Sequence, residues 1–220
     1  MKKSAVQLTT VLLTLVLLMA VLILYGVKKD KSEPASPALT PTETAAPTAP
    51  RRQVGERYDR VIMIEGMEET VHYEQIRNDT VGIEMGYEYE NFRRRSEPNR
   101  ECFISDWDDP DNPESYLEVT SSPDSAETVA AAIAETLSQD YEIYRDDAFM
   151  LEGAGRCIRI DASADKGGLT MPDHLQLVYI IPTPDGCRIA TEHYFIVESE
   201  GFGNRFRNMM HTLTVIDRRR

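Results

Sequence analysis

Positions 5 to 27 hold no charged residue, and Leu, Val and Ile dominate these 23 positions. As an α-helix rising 1.5 Å per residue, such a run reaches ~34 Å, enough to cross a hydrocarbon core of about 30 Å. Its polar members, Gln7, Thr9, Thr10 and Thr14, fall in its first half. Lys2 and Lys3 flank one end, and Lys28, Lys29 and Lys31 flank the other. No stripe of the run is polar enough to face water, which argues against a buried helix of a globular core. A cleavable signal peptide has a shorter apolar centre of about 7–15 residues and small residues at its cut site. This run ends Leu24-Tyr25-Gly26-Val27, with no Ala-x-Ala pattern and no nearby cysteine to take a lipid. It reads as an uncleaved transmembrane signal anchor that contacts the lipid bilayer through residues 5–27. The cations on its two sides nearly balance. The short N-terminal side and the long C-terminal side then favour a single-pass protein of the cell membrane with an extracytoplasmic C-terminal domain.

The rest of the chain divides around that anchor. Residues 1–4 are a short flank, and residues 28–57 are a linker rich in Pro, Thr and Ala. Five prolines between positions 30 and 50 oppose both helix and sheet and favour an extended spacer. Residues 58–217 are long enough for one domain with a sizeable core, and residues 218–220 form a basic tail. The chain carries 24 Lys and Arg against 37 Asp and Glu. Residues 1–31 account for five of the former and one of the latter, so the remainder holds 19 against 36. A surface that acidic repels nucleic acid, which is excluded as a partner; it serves solubility first, and suits life outside a cell, cation association or a basic partner. The three cysteines, Cys102, Cys157 and Cys187, are too few for a disulfide framework or a zinc cluster and allow at most one bridge.

Within 58–217 the patterning alternates between strand and helix. Residues 61–64 and 70–76 read as a hairpin. Val81, Ile83, Met85, Tyr87 and Tyr89 alternate with Gly82, Glu84, Gly86, Glu88 and Glu90, which predicts one core face and one water face. Short strands follow at 102–104 and 116–119. Asp124, with Glu127 three residues on, predicts a capped helix, with Val129, Ile133 and Leu137 on one stripe beside Ala126, Ala130 and Ala134. Strands are then expected at 142–145, 156–162, 174–181 and 187–195, the last two joined by the turn Thr183-Pro184-Asp185-Gly186. A final amphipathic helix from about Ser199 presents Phe202, Phe206, Met209, Met210 and Leu213, and Val215 and Ile216 add an edge strand. The expected fold class is therefore α+β: a mainly antiparallel β-sheet packed by two amphipathic helices, preceded by one transmembrane helix.

This order of elements, with the anchor and the stalk, resembles PsbP-like and LpqN-like domains over about residues 58–217. The resemblance implies an extracytoplasmic domain, and the plant members of the group assist a membrane complex without being enzymes. No functional residue is carried over by it. The absence of a lipid-bearing cysteine departs from the lipoprotein members.

The side chains that carry chemistry form several small groups. The loop holding Asp106, Asp108, Asp109, Asp111 and Glu114 has the carboxylates a hard cation needs, but not the Asp-x-Asp-x-Asp-Gly spacing of a calcium loop. It reads first as a solvated acidic loop. Trp107 within it is expected to fold back over the sheet. Pairing Pro182 with Cys187 across the turn sets His174 against Phe195 and Gln176 against His193. The two histidines become diagonal neighbours on one face, without an evident third zinc ligand. The cysteines sit in apolar settings that favour inert thiols. No nucleophile elbow or Walker loop appears, and Gly167-Gly168 reads as a loop between strands. Arg93, Arg94 and Arg95, like the tail 218–220, read as solvated basic runs. No catalytic, cofactor or metal residue is assigned, and no cofactor is called for.

The expected function is a membrane-tethered, non-catalytic binding or accessory domain of the cell envelope, with an envelope protein as a candidate partner. Two alternatives stand beside it. One is an envelope hydrolase using the acidic residues of positions 106–114, assisted by calcium. The other is a regulatory module facing the cytoplasm.

Overall fold

The computed structural model describes residues 52–163 and 174–216. The apolar run 5–27, the linker up to residue 51, the glycine loop 166–169 and the tail 218–220 lie outside the described residues. Among the described residues, no helix is long and apolar enough to cross a membrane.

The first hairpin joins β1 (Arg57–Ile64) to β2 (Met67–Asn78). Glu65 and Gly66 form its two-residue turn, with φ of 50° and 77°. Positive φ at both positions marks a type I′ turn, whose twist matches that of the flanking strands. The second strand thus starts at Met67, three residues before the expected position 70. Next come β3 (Ile83–Glu88), β4 (Phe92–Glu97), β5 (Arg100–Ser105) and β6 (Tyr116–Ser122). Helix α1 (Ala126–Leu137) leads to β7 (Glu142–Leu151), β8 (Gly155–Ser163), β9 (His174–Thr183) and β10 (Gly186–Phe195). After β10 come a 3-10 turn (Ile196–Glu198), a π turn (Ser199–Gly203), helix α2 (Asn204–Met210) and β11 (Thr214–Val215).

The strands form two antiparallel sheets, one ordered β1-β2-β3-β11 and the other β4-β5-β6-β10-β9-β8-β7. One hydrophobic core joins them, with Ile76, Ile83 and Met85 from the small sheet and Phe103, Leu117 and Tyr179 from the large one. The expected α+β class, two amphipathic helices on one sheet behind a transmembrane helix, is therefore corrected: the described fold is predominantly β. Sheet-on-sheet packing buries the apolar faces that helices were expected to cover. The second expected helix shrinks to seven residues. Gly201 and Gly203 precede it, and glycine in a helix interior costs about 1 kcal/mol relative to alanine. Its apolar stripe still reaches the core: Phe206, Met209, Met210 and Leu213 are fully buried, each contributing about 1.5–3 kcal/mol.

Helix α1 packs where its stripe predicts, with Ala126 and Ala130 buried against Ile158, Ile160, Val178 and Ile180 of the large sheet. Its N-cap is Ser125 rather than Asp124; the Ser125 Oγ accepts from the Thr128 backbone N–H at 3.2 Å. The alternation in β3 is correct, but its polar face is not in water. Glu84 and Glu88 are buried because the C-terminal segment lies over that face. Arg205 of α2 donates to Glu88 and, at 2.7 Å, to Glu69. Thr212 receives the Gly86 N–H at 2.8 Å. A buried carboxylate requires such a partner.

Candidate functional site

The loop after β5 is built by its own short side chains. Asp108 Oδ2 accepts the backbone N–H groups of Glu114 at 2.6 Å and Ser115 at 2.7 Å, and its Oδ1 accepts that of Asp109 at 2.9 Å. Asp109 Oδ1 receives the Asp111 N–H at 2.9 Å. The Asp109 bond is an aspartate turn, and Asp108 ties the two ends of the loop together, its carboxylate substituting for a backbone acceptor. Arg93 then pins the loop to the sheet. Its guanidinium donates to the carbonyls of Ser105 at 3.1 Å and Asp108 at 2.5 Å, and pairs with the Asp106 carboxylate at 3.2 Å. Arg93 is thus a structural clamp rather than part of a solvated basic run. Its neighbours are engaged as well, Arg94 with buried Glu101 and Arg95 with Glu97.

The chain leaving β10 closes the other side. Glu198 Oε2 accepts the Ser115 hydroxyl at 2.7 Å and the Phe195 N–H at 3.4 Å. Between the two segments lies a cleft of about 190 Å³ lined by Trp107, Asp108, Glu114, Phe195, Glu198 and Phe202, with Ser105 and Ser115 at its base. Trp107 does not fold back over the sheet. It is 75% exposed, with its ring 6.2 Å from that of Phe202. Phe202 in turn rests on Phe92 and Phe206 of the core.

The histidine pair lies beside this cleft. The register is the expected one, His174 opposite Phe195 and Gln176 opposite His193. The His174 and His193 rings stack at 4.9 Å, His174 meets Phe195 at 4.2 Å, and Tyr116 stacks on His193 at 5.1 Å. His193 Nδ1 lies 2.7 Å from the Glu114 carbonyl oxygen. A carbonyl only accepts, which places the proton on Nδ1. Burial, against the opposing effect of that hydrogen bond, holds the His193 pKa below its ordinary value. The acidic loop and the histidine pair, separate in the sequence, thus form one continuous surface. Further along the same sheet face, a groove of about 330 Å³ runs between α1 and the strands, lined by Ile133, Leu137, Gln176 and Val178.

Asp108 and Glu198 spend oxygens on backbone and hydroxyl donors, so they fix the loop, whereas acid–base work on a glycoside needs a pair of carboxylates held for proton transfer. Among the described residues, no three His, Cys, Asp or Glu side chains converge as a metal site. The three cysteines are free and buried. Burial pushes the thiols of Cys102 and Cys157 up to about 11 and raises that of Cys187, away from the reactive thiolate.

One residue escaped the sequence reading. Glu192 of β10 is fully buried, and its carboxyl has the Tyr179 side chain as a hydrogen-bonding neighbour. Burial pushes its pKa up to about 8, against the attraction of Arg207 and the hydrogen bond from Tyr179. The alternation of β10 could have shown it: Glu192 falls between Ala190 and Tyr194, on the core face.

No family model and no curated protein matches this chain. LpqN of Mycobacterium tuberculosis, a protein involved in cell envelope biogenesis, is similar at 12% identity and a TM-score of 0.42, over 73% of this chain and 92% of that one. A structure from Bacteroides thetaiotaomicron VPI-5482 is similar at 10% identity and a TM-score of 0.37, over 62% of this chain. This chain spans 46% of that protein's length. The first is a distant likeness of the LpqN kind; a PsbP-like relationship is not shown. At such scores neither structure identifies a site or a ligand.

Proposed function

We propose that this protein is a tethered binding domain of the cell envelope that engages its ligand through the cleft between Trp107 and Phe202. The observation that carries this reading is Trp107 itself. It is a large aromatic side chain held 75% exposed on a loop that Asp108 and Arg93 fix in place. A protein gains nothing in stability from such a residue, and preorganised aromatics at a concave surface are what binding surfaces use. Because Asp108 and Glu198, two of the three acidic residues lining the cleft, act as loop staples, binding is favoured over hydrolysis. The uncharged run of residues 5–27 supplies the tether and the Pro-rich linker supplies reach, with the domain on the outer side of the membrane.

Protease treatment of intact cells making the full chain, with an epitope tag after Arg220, tests the location. Loss of the tag from intact cells is expected, with the protein sedimenting with membranes until residues 5–27 are deleted. A tag protected until lysis would put the domain in the cytoplasm and favour the regulatory alternative.

A further inference from the structure

Among the described residues four strands form the edges of the two sheets, and three of them carry the devices that prevent edge-to-edge pairing. Strand β4 presents Arg93, Arg94 and Arg95. Strand β7 has a register shift between Asp146 and Phe149, with Arg145 and Asp147 beside it. Strand β11 is two residues long. Strand β1 is different: it is eight residues long, pairs without a register shift, and exposes Val61 by 63% and Met63 by 52%. In a two-residue hairpin the residues flanking the turn form a hydrogen-bonded pair, here Ile64 with Met67. Alternation along the ladder then turns the N–H and C=O groups of Arg57, Asp59, Val61 and Met63 away from β2, toward the open edge.

We propose that β1 pairs antiparallel with β1 of a second copy of this chain, centred on Val61, to make one continuous sheet across the two copies. Charge selects the partner and the register. A two-fold pairing must oppose outward residues to outward residues. Centred on Asp59, it sets Asp59 against Asp59; centred on Arg60, it sets Arg60 against Arg60; centred on Ile62, it brings Asp59 alongside the turn residue Glu65, a second carboxylate. Like charges directly opposite destabilise a sheet. Centres nearer either end leave few rungs. Centred on Val61, the pairing sets Asp59 against Met63 and Val61 against Val61, and brings Arg57 at each end alongside the turn residue Glu65 of the other copy. The Val61 and Met63 side chains of the two copies then form one apolar patch. Arg57 spends its Nε on Glu74 at 3.1 Å, which leaves four N–H donors of its fork to meet Glu65. This inference is independent of the Trp107 cleft, which belongs to the other sheet's loops.

Position-resolved cross-linking of the full chain in detergent micelles tests it, because self-association through residues 5–27 alone would not select a register. With a short bismaleimide, Val61→Cys is expected to give a covalent dimer. Met63→Cys is not, because the two Met63 positions lie ~14 Å apart along the ladder, four residues at about 3.4 Å each. The native cysteines are buried, so the wild type sets the baseline. Arg57→Glu and Glu65→Arg are each expected to lower the Val61→Cys yield at least tenfold, and their combination to restore it. Equal yields at positions 61 and 63, no product at 61, or insensitivity to the single charge reversals would overturn the proposal. A strict monomer would instead leave this edge to an extended strand of another protein, and would also overturn it.

Discussion

Ser115 donates its hydroxyl hydrogen to Glu198 Oε2 at 2.7 Å across 83 positions of sequence, and this bond joins the two walls of the Trp107 cleft. Ser115 is 4% exposed, so removing its hydroxyl takes a donor from the part-buried Glu198 carboxylate and leaves it only the longer bond from the Phe195 N–H. Ser115→Ala is expected to cost about 1–3 kcal/mol and to raise the mobility of the acidic loop. Denaturant unfolding measures the first effect and amide hydrogen exchange at residues 106–114 the second. A loop whose exchange is unchanged would show that the bond does not hold the cleft.

Glu192 makes stability depend on pH in a direction opposite to that of a paired carboxylate. Its folded pKa is raised to about 8 by burial, from an ordinary value of 4.5. As pH climbs from that ordinary value toward 8, the unfolded chain ionises Glu192 while the folded chain keeps the proton, and stability falls. Above 8 the loss levels off, and below the ordinary value it is absent. The contribution is on the order of 5 kcal/mol between the two ends of the window. Glu192→Gln is expected to flatten this slope in denaturant titrations between pH 5 and pH 8. A slope identical to that of the wild type would show that Glu192 is ionised in the fold.

Two histidines are expected to titrate on opposite sides of the ordinary value. His72 accepts charge readily because its side chain bonds to Asp59 at 2.8 Å, with Glu90 also near, and its pKa is raised. His193, buried beside His174, has a lowered pKa. The charged form of His193 is disfavoured in the fold, so acidification through the unfolded value of 6.5 costs stability, and the loss is complete below the folded value. Imidazole proton shifts followed by NMR from pH 8 to pH 4.5 separate the two. Coincident titrations would contradict the burial of His193.

The strands were largely legible in the sequence because alternation reports directly on a two-faced sheet. The register of β9 with β10 followed from the Thr183-Pro184-Asp185-Gly186 turn, and it placed His174 beside His193. What alternation cannot report is what covers the second face. It assigned Glu84 and Glu88 to water, whereas Arg205, more than a hundred residues later, buries Glu88. The same limit hid the packing of the small sheet on the large one. Periodicity identified the apolar stripe of α2 but not the π turn at Ser199–Gly203 that shortens the helix. As for the site, both halves were visible as acidic loop and histidine pair. Their union through the Glu114 carbonyl and Glu198 was not, because a backbone acceptor carries no sequence signal.

Trp107 is the only tryptophan of the chain, so its fluorescence reports on the cleft alone. The full chain, reconstituted in lipid vesicles, is mixed with solubilised wall polymer from the cells that make it, and acrylamide quenching of Trp107 is measured with and without the polymer. Binding through the cleft predicts that quenching drops as the polymer is added. It also predicts that Trp107→Ala abolishes co-sedimentation while changing stability by less than about 0.5 kcal/mol, as for an exposed side chain. Polymer that fails to bind, or that binds while Trp107 stays fully open to acrylamide, would contradict the assignment of the cleft as the binding surface.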